Sequence, residues 1–448
     1  MRGTDRGPGR RARRYAGIAA AAAIGLLVTA CSSGTHSTVS PAQARAQASA
    51  SAKAHAAALA RDVKITPADG SHDARPSDGI SVTAVAGTLT NVTVSTSGDA
   101  VSGSLAGDGK SWHSRGHLGV SQSYTVTVTG TAPSGEKIVK TSTFRTLTPV
   151  QTFSTHIFEG YKQTYGVGMP IILTFSRPIT SKAAVERSLE LTTSQPVVGA
   201  WYWDGDQQLY FRPRDYWPAY TTVSFTGRLD GVEGASGVYG THNLSQTFEI
   251  GRSLIAVAST TTHKTQIYLN GKLAYQWPIS TGRASLPTPD GTYLSVEKAN
   301  PVRMIGGGPA GSAGHYDELV NYAVRFTYSG DYYHSAPWSV VNQGTSNVSH
   351  GCVNLPPFAA QTYYNMSIPG DPITVTASTA AGKWGDGWTQ WFWSWSQYLK
   401  GSATGEAVQA GPQGSTFVSP SSLPASTASA PLGTSAPGNY YAGSANLG

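Results

Sequence analysis

The sequence predicts a mainly β protein: two tandem β-sandwiches, a third and chemically distinct β-rich unit, and a short tryptophan-rich helical segment near the end. Three observations carry this. Apolar and polar residues alternate in runs such as Tyr124-Thr125-Val126-Thr127-Val128, the pattern of half-buried strands. Turn clusters such as Ala68-Asp69-Gly70, Gly107-Asp108-Gly109 and Pro133-Ser134-Gly135 separate those runs. Only 13% of the 448 residues are charged, while Gly, Ser, Thr and Tyr are abundant, a composition that suits a β-rich exterior protein.

The chain begins with an arginine-rich segment, followed by an apolar run from Ala16 to Ala30 and then Cys31. That is the layout of an export signal, and the run is short for a bilayer span. Val28-Thr29-Ala30-Cys31 resembles the lipobox of bacterial lipoproteins, which implies cleavage before Cys31, lipidation of its thiol and anchoring to the outer face of the cell membrane. Residues 1–30 are therefore expected to be a signal peptide. The six arginines there, set against Asp5, account for +5 of the formal charge of +7. The remainder is too weak a field to attract a polyanion, so a nucleic-acid partner is not expected.

Residues 31–60 form a Ser/Ala/Gln spacer. The first sandwich is placed at 61–149, with strands at Val63-Lys64-Ile65 and Val92-Thr93-Val94. The second occupies 150–250, with strands at Ile171–Phe175, Trp201–Trp203 and Thr222–Phe225, and a short helix after Ser181. The third unit, 251–378, opens with Leu254–Val257 and Thr265–Leu269, and Asn270-Gly271 signals a tight hairpin. Its glycine-rich stretch from Met304 to Gly314 reads as a long functional loop. In 379–400, Trp384, Trp388, Trp391, Trp395 and Tyr398 fall at helical spacing, predicting an amphipathic helix packed on the third unit. Residues 401–448 are rich in Ser, Ala, Pro and Gly and are expected to be disordered.

The chain has two cysteines. With Cys31 assigned to lipid, Cys352 has no partner, which marks either a reactive thiol or an inert buried one. Its neighbourhood, Ser349-His350-Gly351-Cys352-Val353-Asn354, follows His334-Ser335-Ala336-Pro337-Trp338. A free thiol has a pKa of about 8.5 and reacts as the thiolate, so it needs a base. An imidazole such as that of His334 takes the proton and returns it to a leaving amine. Gly351 permits close backbone approach, and the amides around Gly351 and Cys352 are placed to stabilise an oxyanion. A zinc site from His334, His350 and Cys352 is disfavoured, because His350 and Cys352 are too close in sequence and no second cysteine supports them.

Taken together, the two motifs resemble the signature of the L,D-transpeptidases of the YkuD fold, most closely the actinobacterial type with two immunoglobulin-like domains ahead of the catalytic domain. The resemblance covers about residues 61–400. It implies that Cys352 is the nucleophile and His334 its proton acceptor, oriented by the backbone carbonyl of Ser335, with Gly351 at the acyl site. It further implies substrate contacts from Met304, Tyr316, Ser329, Gly330, Trp338, His350 and Asn354, with Met304 and Tyr316 on a flap over the pocket. Many members of the wider family carry arginine where this chain has Asn354, a departure shared by the actinobacterial subgroup.

The implied reaction releases D-Ala from a tetrapeptide peptidoglycan stem through a thioester and forms a 3→3 cross-link, and carbapenems are expected to acylate the same sulfur. No cofactor is required. Asp230, Glu233 and Gly234 sit where some relatives hold calcium, so a structural calcium is an expectation there. Two other readings use the same sequence: an L,D-carboxypeptidase with water as acceptor, and a wall-binding lipoprotein with an inert third unit.

Overall fold

Strand alternation through residues 63–145 becomes two facing sheets in the computed structural model, which describes residues 40–306, 308–312 and 315–423. One sheet runs in the order 63–66, 81–84, 111–114, 103–105; the other contains 88–96, 123–131 and 137–145. Their inner faces bury Val126, Val128, Trp112 and Phe144, while Thr125 and Thr143 on the outer face exchange a hydrogen bond. Pro41–Leu59, which precedes this sandwich in the sequence, is a helix with no buried residue. Ser40 caps it: its hydroxyl accepts from the Gln43 amide, and the Gln43 side chain accepts from the Ser40 amide. Residues 1–30, expected to be a signal peptide, and Cys31 lie outside the described residues.

The second sandwich has a four-stranded sheet (164–165, 244–250, 222–227, 189–193) facing a six-stranded one (155–157, 171–175, 208–213, 197–204, 407–411, 414–418). Its helix spans Lys182–Arg187. The last two strands of the six-stranded sheet correct an expectation. Residues 401–423 are folded, and the hairpin Ala407–Gly411 and Gly414–Val418 extends the sheet through Val197–Gly199. Small residues at Ala407 and Ala410 let this hairpin lie flat on the sandwich core, which Val408 joins. The Glu186 carboxylate fixes the approach, accepting from the amides of Ala403 (2.7 Å) and Thr404 (3.2 Å) and from Ser402 Oγ (2.8 Å).

The tryptophan segment also departs from expectation. Its only helical turns are Gln390–Phe392 and Trp395–Leu399, because Gly385 (φ +82°) and Gly387 (φ +104°) adopt left-handed backbone that ends any helix upstream. The rings pack chiefly on the second sandwich. Trp391 donates to the carbonyl of Gly168 (2.8 Å), and Trp384 donates to Asp204 (3.2 Å). Arg212 is wholly buried between Trp391 and Tyr398, 4.4 and 4.3 Å from their ring centres, and donates to the carbonyl of Trp393. Phe392 reaches the other way and packs edge-on against Tyr293 of the third unit. The segment is a clasp that joins the second sandwich to the unit beside it.

That third unit packs a five-stranded sheet (272–278, 264–269, 254–259, 372–376, 291–294) against a four-stranded sheet (297–299, 323–325, 332–335, 353–355). The Asn270-Gly271 turn forms as expected, with φ of +48° and +78°. Tyr333 and Val353 from the smaller sheet, Phe326 just after one of its strands, and Ile267, Ile373 and Tyr293 from the larger sheet share one core. The helix Pro357–Met366 closes it, with the Tyr363 ring tilted against that of Tyr333, ring centres 5.0 Å apart. The glycine-rich stretch is not a free loop: Val302–Gly306 pairs with Tyr316–Val320 as a two-stranded ribbon. Its register sets Met304 opposite Glu318 and Gly306 opposite Tyr316.

Candidate active site

The site is built on two parallel strands, Tyr332–Ser335 and Val353–Leu355, paired with Tyr333 opposite Val353 and His334 opposite Asn354. Successive side chains on a strand point to opposite faces. Tyr333 and Val353 therefore enter the core, while His334 and Asn354 face the other way into a cavity of about 260 Å³. Cys352 stands two residues before Asn354, on the same face, and opens into that cavity. Cys352 is a free thiol. Its sulfur lies 3.8 Å from the carbonyl oxygen of Gly330.

The imidazole of His334 is buried, and its Nδ1 lies 2.9 Å from the carbonyl oxygen of Ser335. A carbonyl can only accept, so Nδ1 carries the proton and Nε2 is left with a free lone pair. Burial pulls the His334 pKa down to about 4, partly opposed by that hydrogen bond. Burial also pushes the Cys352 thiol up to about 12, with the Asp331 charge adding to the rise and a hydrogen bond with the Tyr332 backbone opposing it. Both groups are thus neutral at neutral pH.

The loop that presents the cysteine is held on all sides. Ser349 Oγ donates to the carbonyl of Cys352 (2.6 Å) and accepts from the Gly351 amide (3.2 Å). Thr288 Oγ1 donates to the Gly351 carbonyl (2.5 Å). The Gly351 amide, expected at an oxyanion, is therefore already engaged with the Ser349 hydroxyl. Asn354 donates to Ser339 Oγ at 3.1 Å, which ties the cysteine strand to the turn after Pro337. Trp338 lines the cavity, its ring 6.0 Å from that of His334.

The ribbon forms the opposite wall. Met304, Tyr316 and Glu318 face the cavity, and the Tyr316 ring lies tilted against that of His350, with ring centres 4.6 Å apart. Of the residues expected at the substrate, Ser329 is the one directed elsewhere. Its amide and hydroxyl both donate to Asp386, at 2.6 and 2.7 Å, so it anchors the aromatic clasp and does not line the cavity. Gly330 remains at the site through its carbonyl.

Asp230 and Glu233 point to different partners. Glu233 accepts from the Gly237 amide (2.9 Å), Gly234 packs against Phe153 and Ile179, and Asp230 lines a cleft with Asp99 and Asn243. Among the described residues no group of three or more His, Cys, Asp or Glu side chains is arranged to hold a metal ion.

Three neighbours of the site carried no sequence signal. Asp331 lies beside the cysteine loop with its pKa raised to about 6, first by burial and then by the charge of Asp386, while the Thr327 hydroxyl opposes the rise. Arg283 reaches His350 Nε2 at 2.6 Å, and burial, followed by the Arg283 charge, lowers the His350 pKa. Glu318 faces inward from the ribbon. A single polar residue within a strand or turn announces nothing until the register is known.

The fold and this site define a catalytic domain carried on immunoglobulin-like domains, and comparison with known proteins agrees. A model described as the L,D-transpeptidase catalytic domain (YkuD) matches residues 253–375, and a bacterial Ig domain model matches residues 71–233. L,D-transpeptidase 2 of Mycobacterium tuberculosis (strain CDC 1551 / Oshkosh) is 33% identical over 329 residues, covering 72% of this chain and 80% of that protein. L,D-transpeptidase 5 of Mycobacterium tuberculosis (strain ATCC 25618 / H37Rv) is 33% identical over 347 residues, covering 75% and 76%. A structure of the LD transpeptidase LdtMt1 in complex with imipenem is 37% identical, covering 51% of this chain and all of that one, with a TM-score of 0.44. The chain belongs to the L,D-transpeptidase family.

Proposed function

We propose that the protein forms 3→3 cross-links between peptidoglycan stems by cysteine acyl transfer. The observation that carries this reading is the tautomer of His334: Nδ1 donates to Ser335, so Nε2 is free beside a cavity that also holds Cys352. In the first step Sγ bonds to the carbonyl carbon of the third stem residue as its proton passes to Nε2. The amide C–N bond then breaks, and that proton leaves with the amine of D-Ala. In the second step a side-chain amine of a neighbouring stem attacks the thioester, Nε2 accepts its proton, and the S–C bond breaks as Nε2 passes that proton to Sγ, which restores the thiol. With the Gly351 amide engaged by Ser349 Oγ, the oxyanion donor assigned here is the Cys352 amide. The ribbon with Met304 and Tyr316 excludes water from the thioester.

The test is incubation of the chain with a tetrapeptide donor stem and analysis of the products. Release of D-Ala with dimer supports transfer; release without dimer assigns a carboxypeptidase. Intact-mass measurement with imipenem is the companion, with one adduct expected on the wild type and none on Cys352→Ala. An inert scaffold would give neither adduct nor D-Ala.

We place the protein outside the cytoplasm, anchored to the membrane by lipid on Cys31. Metabolic labelling with a radioactive fatty acid tests this, since label retained by Cys31→Ala would exclude that thiol as the anchor.

A further inference from the structure

We propose that Glu318 recognises the cationic acceptor amine and so sets the ratio of transfer to hydrolysis. This rests on the acyl-transfer reading of the site and names the group within it that selects the second substrate. The register of the ribbon carries the argument. On its outer face Arg303 pairs with Asp317 at 2.6 Å, flanked by exposed Ile305 and Leu319. On its inner face Tyr316, Glu318 and Val320 alternate into the cavity that holds Cys352. The outward carboxylate thus has its counter-charge, whereas among the described residues Glu318 has neither an ion pair nor a hydrogen bond. Its cross-strand neighbour is the apolar Met304.

A carboxylate left unpaired over a partly enclosed and largely apolar cavity favours a cation there. The reaction brings one. The donor stem arrives with a terminal carboxylate, which Glu318 repels. Arg283, held against the lining residue His350, has no carboxylate partner among the described residues. The acceptor arrives as an ammonium, the form that Glu318 attracts and that water, the competing nucleophile, cannot imitate. Docked there, the ammonium gives one proton to solvent, and the resulting amine attacks the thioester with Nε2 of His334 as base.

The experiment uses the full chain with a tetrapeptide donor stem and increasing concentrations of a diamino-acid acceptor, reading dimer and hydrolysed tripeptide from the same reaction. Taking their ratio within each reaction cancels any change in the rate of thioester formation. Glu318→Gln is expected to raise the acceptor KM about fivefold and to lower the dimer-to-tripeptide ratio by a similar factor, the range of a partly exposed ion pair. Glu318→Asp, which keeps the charge, is expected to recover most of that loss. Raising the salt is expected to raise the wild-type acceptor KM, a readout that needs no variant to fold. An unchanged ratio in Glu318→Gln, equal losses in the Gln and Asp variants, or a salt-independent wild-type KM would each overturn the proposal. Failure of the wild type to release D-Ala would instead overturn the acyl-transfer reading itself.

Discussion

The carboxylate of Asp331 stands where a side chain on Gly351 would go: a Cβ built on Gly351 would lie 2.2 Å from Asp331 Oδ1. Gly351 also has φ of +136°, a backbone region that L-residues rarely adopt. The residue before the nucleophile is thus fixed as glycine twice over, by conformation and by space.

Gly351→Ala is therefore expected to displace the cysteine loop. Strain of about 1–3 kcal/mol and a sulfur moved by a fraction of an ångström together predict a loss of about a hundredfold in the rate of imipenem acylation. Adding Asp331→Ala removes the clash but leaves the backbone strain. The double variant should recover part of the rate, followed as adduct mass against time. Equal rates in the single and double variants would show that space does not matter there.

Much of this was legible in the sequence, for reasons that differ by element. The strands at 63–66, 171–175 and 264–269 announce themselves because one face is buried and the other wet, so their residues alternate. His334 and Cys352 are legible because they sit in two short motifs that set an imidazole and an unpaired thiol within twenty residues of each other. The aromatic clasp is not legible in this way, since tryptophans at helical spacing also fit an irregular segment and the two glycines decide between them. Residues 401–423 look like a disordered tail because their small side chains suit a partner sheet, and the partner lies some two hundred positions earlier. Asp331, Arg283 and Glu318 depend on register, which composition does not reveal.

The clasp gives a second expectation. Arg212 has no carboxylate partner among the contacts described. It is held by the Trp391 and Tyr398 rings and by carbonyl oxygens, including that of Trp393. Desolvated cation–π contacts contribute about 2 kcal/mol or more. Arg212→Met keeps most of the volume and removes the charge. It is expected to lower stability by about 2 kcal/mol and to release residues 384–400 to limited proteolysis. Intact protection with an unchanged melting temperature would show that the rings pack without the cation.

A chain ended after Lys400 tests the folded hairpin. It would strip Val408 and Ala410 from the core of the second sandwich and leave the strand edge at Val197–Gly199 unpaired. An uncovered edge invites association. The truncated chain is expected to melt lower and to oligomerise at concentrations where the full chain does not, as judged by light scattering.

Asp331 provides a pH signature. Burial raises its pKa from 3.8 to about 6, so the folded state holds its proton more tightly than the unfolded chain does. The stability this gives is fully present below the unfolded value and is lost as pH rises through about 6. Asp331→Asn stays neutral throughout. It should therefore be more stable than the wild type at pH 8, by on the order of 2 kcal/mol, and the advantage should shrink through pH 6 and vanish below pH 4. Because the Asp331 charge also holds the thiol pKa up, the same variant should acylate faster with imipenem above pH 6. The acid limb belongs to His334. Its base form persists down to about pH 4, so activity should hold from neutral pH to near that value and then fall as the imidazole protonates. Thermal melts and acylation rates over pH 3.5–9 read both effects, and an acid limb centred near the ordinary imidazole value would show that His334 is not buried as described.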